Sequence, residues 1–158
     1  MILFSNDFND GEKMPERHVF KGMGYTGQNV SPHLAWNHVP INTQSFVVTC
    51  YDPDAPTGCG WWHWIVANIP CKINFLLQNC SSNSSLLPKG AIQTRTDFGQ
   101  SRYDGAAPPK GESHRYIFTV HALNVDKIAV DNNSSGAMVA FNVHFNKLES
   151  ASITVIYP

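Results

Sequence analysis

Apolar residues in this chain come in short runs bounded by Pro, Gly, Asn and Ser, the pattern of strands and turns rather than of long helices. Ser45–Tyr51 (with Phe46, Val47 and Val48), His63–Ile69 (Ile65, Val66, Ala67) and Tyr116–Leu123 (Ile117, Phe118, Val120) are close to continuously apolar. That predicts central strands buried on both faces. Ser152–Tyr157, carrying Ile153, Val155 and Ile156, reads as a closing strand, and shorter strands are predicted at Ile2–Phe4, Leu34–Trp36 and Ala91–Thr94. One segment keeps a helical period: Ala137, Phe141, Phe145 and Leu148 recur between Ser135 and Leu148, with Ser134 or Ser135 to cap the start. That apolar face is expected to pack on the sheet. The polar stretch Gln78–Ser85 is too short to divide the chain, and no internal repeat is found. The pattern predicts a mainly β fold with a few helices, in one domain spanning residues 1–158.

Composition narrows the function classes. A chain of 158 residues can bury roughly 70% of its unfolded surface, so its core needs neither disulfides nor a metal. Charged residues make up 15% and the formal net charge is -1, which leaves no basic footprint for nucleic acid or an anionic membrane. The first residues lack the basic and apolar regions of a secretory signal. No stretch approaches the ~20 apolar residues of a membrane span, so the expectation is a cytoplasmic protein without stable membrane insertion. Cys50, Cys59, Cys71 and Cys80 are too widely spaced for a paired-cysteine zinc site and are expected to be reduced and structural. The Asn-x-Ser patterns at Asn79, Asn83, Asn132 and Asn133 mark polar surface loops.

Candidate chemistry concentrates in two segments. The first is Asp52-Pro53-Asp54-Ala55-Pro56 followed by Trp61-Trp62-His63-Trp64; the second runs from Tyr103 to Tyr116, with Gly105, Ala107, Pro108, Pro109 and Gly111 before His114-Arg115-Tyr116. Taken singly, each has an ordinary explanation. Aspartate beside proline forms turns, indoles fill cores, and a histidine in an apolar strand is usually a hydrogen-bonded core residue. Together they suggest an anion site, because His63 and His114 can donate N–H bonds, Tyr116 a hydroxyl, and the glycine-rich loop its backbone amides. Asp52 is expected to hold His63 charged and oriented, so that anion affinity rises as pH falls. Asp54 and the indoles would form an amine subsite for a zwitterion such as a phosphoethanolamine headgroup. Ala55-Pro56 is expected to be cis. Strand alternation turns Arg115 away from His114 and Tyr116, toward an ion pair with a nearby carboxylate.

Enzymatic readings find less support. Asp52, His63 and His114 lack the compact ligand spacing of a metal site. No Gly-x-Ser-x-Gly, P-loop or dinucleotide fingerprint occurs, and Cys59 has no activating arrangement beyond His63. No cofactor is implied. Acid–base hydrolysis of a small phosphate ester is the enzymatic alternative. His18, His33, His38, His121 and His144 form no grouping that adds to the case.

The two segments, in this order and separation, resemble the phosphatidylethanolamine-binding protein family, also called the Raf kinase inhibitor protein family, in its bacterial and archaeal branch. The likeness covers essentially the whole chain. It implies a large central antiparallel sheet, a smaller second sheet, flanking helices and a small anion pocket. The pocket residues it implies are Asp52, His63, His114 and Tyr116, with Asp54, Pro56, Trp61 and the backbone from Gly105 through Ala107 and Pro108 to Pro109 as walls. Two features depart from eukaryotic members: Trp62 stands where many have a second histidine, and the chain stops at Pro158 without their closing helix. Both put kinase-related functions in doubt. The expectation is therefore a non-catalytic binder of a small anionic or zwitterionic ligand, with regulation of a kinase or serine protease as the alternative. The resemblance also allows a homodimer; no other protein partner is implied.

Overall fold

The computed structural model describes residues 1–158. Its strands are β1 (Ile2–Phe4), β2 (Lys21–Gly22), β3 (Tyr25–Thr26), β4 (Leu34–Asn37), β5 (Ser45–Asp52), β6 (Trp61–Pro70), β7 (Phe75–Leu76), β8 (Ile92–Gln93), β9 (His114–Leu123) and β10 (Lys147–Tyr157). One α-helix, α1 (Gly136–Asn146), and two turns of 3-10 helix complete it. The five-stranded sheet has the order β10-β9-β5-β6-β8 and is antiparallel throughout. The three apolar runs of the sequence are its three inner strands, as continuous apolarity requires of strands covered on both faces. A smaller antiparallel sheet, β1-β4-β7, covers one face, and β2 and β3 form a separate hairpin.

Two clusters of buried side chains lie on opposite faces of the large sheet. The larger holds Phe46, Val48, Cys50, Trp64, Val66, Tyr116, Phe118, Val120, Ile153 and Val155, packed against Leu34, Trp36 and Leu76 of the small sheet. The smaller holds Val47, Ile65, Ala67 and Leu123 beneath Val139 and Val143 of α1. Alternate residues of each strand thus serve alternate cores.

The helix presents a face other than the expected one. Its buried residues are Gly136, Val139 and Val143, whereas Phe141 and Phe145 are 63% and 68% exposed and touch each other at 5.0 Å between ring centroids. Leu148 belongs to β10 and is exposed. The sequence carries two apolar stripes, and close approach decides between them. A Cβ on Gly136 would lie 2.3 Å from Trp62 Cδ1, so only the small-residue stripe fits against the indole. Ser135 caps the helix, accepting a bond from the Met138 amide at 3.1 Å.

All four cysteines are free; Cys50 and Cys80 are buried, Cys59 and Cys71 exposed. Asn79, Asn83, Asn132 and Asn133 are exposed. No helix is long and apolar enough to cross a membrane.

Candidate functional site

The site begins with an irregularity in β6. Opposite Cys50 and Tyr51 stand Trp64 and Trp62, so His63 is one residue too many in the β5–β6 ladder. Such a bulge re-aims a side chain. Trp62 packs toward α1, Trp64 enters the main core, and His63 points to that same main side, edge-on to Tyr116 at 5.1 Å and to Phe98 at 5.2 Å. Strict alternation from Trp64 would have sent His63 under the helix. The later segment is stitched to the end of β6 by the Asp104 amide, which donates to the His63 carbonyl at 3.2 Å. Val19 and Ala106 form a bridge on its other side.

Asp52 serves His114 rather than His63. His114 Nδ1 lies 2.8 Å from Asp52 Oδ2, and its Nε2 lies 2.6 Å from Glu112 Oε2. Carboxylates accept at both ring nitrogens, so both nitrogens donate and the ring is an imidazolium. Burial disfavours that charge, but the bonds to Asp52 and Glu112 together outweigh it and hold the pKa above its ordinary value.

His63 has the opposite character. Its Nδ1 lies 2.8 Å from the Asp104 carbonyl, to which it donates. Burial pushes its pKa down, only partly offset by the Asp104 carbonyl and the charge of Asp52. The ring is therefore neutral, with Nε2 left as an acceptor. The expected pair of donors is in fact one donor and one acceptor.

His63, His114 and Asp52 line a cavity of about 210 Å3 with Pro56, Trp61 and Ala107, all anticipated from sequence. Met23 and Phe98 also line it and had no sequence signal. Met23 occupies a two-residue hairpin turn with Gly24, both at positive φ (53° and 84°), where asparagine is the usual first residue. Glu112 escaped notice for another reason: an exposed acid in a loop reads as solubilising.

Four anticipated residues are placed elsewhere. Asp54 is committed to Arg115, whose Nε and Nη2 donate at 3.0 and 2.8 Å and whose backbone amide donates at 2.9 Å. Those bonds pull the Asp54 pKa down to about 2, and no free carboxylate remains there for an amine. The expected ion pair of Arg115 is thus present. Gly105 gives its amide to Asn29 Oδ1 at 2.9 Å, and a Cβ on it would lie 2.0 Å from the His18 carbonyl oxygen, so it is a packing glycine. The Pro108 carbonyl accepts from Tyr25 Oη, and Pro108 lines a neighbouring surface depression. Tyr116 lies beneath His63; its buried hydroxyl has no partner, and burial together with the charge of Asp52 raises its pKa. Trp61 Nε1 is a second buried donor without a partner. The peptide Ala55-Pro56 is trans, the single cis bond being Tyr157-Pro158.

An antiparallel sheet ending in a histidine–aspartate pocket, backed by a smaller sheet, defines a class, and the chain belongs to it: a family profile described as phosphatidylethanolamine-binding protein matches residues 4–158. Among particular proteins, it is 64% identical to YbhB of Escherichia coli over 157 residues, covering 99% of both chains. It is 50% identical to YbcL of the same organism, over 97% of this chain and 85% of that one. The crystal structure of E. coli YbcL superposes with a TM-score of 0.96 at 49% identity, covering 99% of this chain and 96% of the other. A homologue from Chlamydia trachomatis gives 0.81 at 25% identity, covering 99% and 95%.

Proposed function

We propose that the protein binds a small anion carrying both an ionised and a protonated oxygen, such as a phosphate monoester or hydrogen phosphate. The observation that carries this reading is the His114 imidazolium on the cavity wall, whose outer nitrogen is already capped by a carboxylate oxygen, that of Glu112, at 2.6 Å. A ligand oxygen replaces Glu112 on Nε2, while His63 Nε2 accepts from the ligand's hydroxyl. Glu112 is 49% exposed on its side chain, so it can swing into water when displaced.

Binding without turnover is part of the proposal. Thr57, the hydroxyl on the wall, donates to the Gly60 carbonyl at 2.6 Å. Cys59 Sγ lies 3.7 Å from Thr57 Oγ1 rather than beside a histidine. Neither is arranged as an activated nucleophile.

Calorimetric titration with inorganic phosphate and phosphoethanolamine tests the reading. Glu112→Gln removes the competing charge and is expected to tighten phosphate several-fold, while His114→Ala abolishes measurable binding. Phosphate affinity indifferent to both substitutions refutes the site. Because Asp54 is consumed by Arg115, phosphoethanolamine is expected to bind no more tightly than phosphate. Release of phosphate from p-nitrophenyl phosphate, lost in His114→Ala, would replace the binding role with an enzymatic one.

A further inference from the structure

Trp62 and His63 are consecutive but face opposite sides of the large sheet, and a second cavity of about 220 Å3 lies on the Trp62 side, between the sheet and α1. Its apolar walls are Trp62, Val139 and Val143; its polar side chains are Thr49, His121, His144 and Lys147, and no carboxylate lines it. The space is comparable with that of the first cavity, and about 150 Å3 already suffices for benzene in an apolar interior. His121 Nδ1 is buried without any hydrogen-bond partner, a condition that costs stability unless a ligand or water relieves it.

We propose that this cavity is a second ligand site, taking a small amphipathic carboxylate whose flat apolar body lies against Trp62 and the valines and whose carboxylate meets Lys147 and His121. The charge pattern selects the sign: one lysine and two histidines with no acid among them favour an anion. The apolar lining selects the body, since a fully solvated ion such as phosphate gains nothing from indole and valine surface.

Burial, reinforced by the Lys147 charge, holds His121 down to about 4, so the ring is neutral near pH 7. The titratable groups facing it are Lys147 at the start of β10 and His144 on α1; β5 contributes only the neutral Thr49, and β6 no titratable group. An entering carboxylate offsets the lysine charge and favours protonated His121. Binding is thus accompanied by proton uptake and tightens as pH falls.

The test is a titration of the 15N-labelled protein with benzoate, read from amide shifts. The expected result is perturbation of Trp62, Val139, Val143 and Lys147, with affinity about tenfold weaker in Lys147→Gln and unchanged in His114→Ala. His121→Leu is expected to abolish it. Should that variant fail to fold, Lys147→Gln decides, since Lys147 is exposed. Shifts confined to the surroundings of His63 and His114, or benzoate affinity unchanged in Lys147→Gln, overturn the proposal.

Discussion

Two histidines with similar sequence surroundings end in opposite charge states, and the cause is what each ring nitrogen meets. His114 meets a carboxylate at both nitrogens; His63 meets a carbonyl at one. A raised pKa stabilises the fold below the ordinary histidine value and loses that contribution as pH rises through the folded one. Asp52→Asn should therefore lower the His114 pKa, flatten the loss of stability on the alkaline side and weaken phosphate about tenfold or more. Proton NMR of the His114 ring against pH checks the first, thermal denaturation against pH the second and calorimetry the third. Which residues would be chemical was legible, because carboxylate, proline and histidine were placed together at strand ends. Their pairing was not. Asp52 is 11 positions from His63 and 62 from His114, yet it bonds the distant one, since β5 and β9 are neighbours and the register brings them together.

Among the elements, strands were more legible than the helix. Three continuous apolar runs became the inner strands, extended by one to three residues at their ends. The two-residue strands β2, β3 and β7 were missed because so short a pairing leaves no periodicity. The α1 segment was recognised, but with its faces exchanged: both stripes are apolar, and the choice rests on steric fit to Trp62, which periodicity does not encode. Gly136→Ala accordingly should destabilise by roughly 1–3 kcal/mol, through displacement of the indole, although alanine is the better helix former. The turn joining β2 and β3 gives the reverse expectation. Met23 at positive φ is strained, and Met23→Asn should gain about 1 kcal/mol without altering the core, measurable as a higher denaturant midpoint at constant m.

For the whole molecule, buried histidines set the acid limit of stability. His18, His63 and His121 are all held below their ordinary pKa, in each case foremost by burial. Each contributes stability that is complete above the ordinary histidine value and is lost as pH falls through the folded one, which for His121 is about 4. His114 has the opposite sign. The denaturation temperature should therefore be highest near the ordinary histidine value of about 6.5 and fall on the acid side as the three depressed histidines are forced to take a proton. His121→Leu should lessen that acid fall; a variant curve parallel to the parent's contradicts the assignment. The family was legible from two motifs, and the shape of the pocket was not, since Met23 and Phe98 come from two other parts of the chain. The extra residue in β6 also makes the length of that strand part of its chemistry. Removing one residue between Gly60 and Trp64 would let this end of the ladder close without its bulge, leaving only the irregularity between Phe46 and Val48. The sheet could still assemble, with the same neighbours and the same core, but there would be one residue fewer to share between its two sides. Loss of the His63 imidazole from the pocket would then follow from miscounting alone, with no substitution, which makes single-residue deletions here a sharper probe of the site than most point changes.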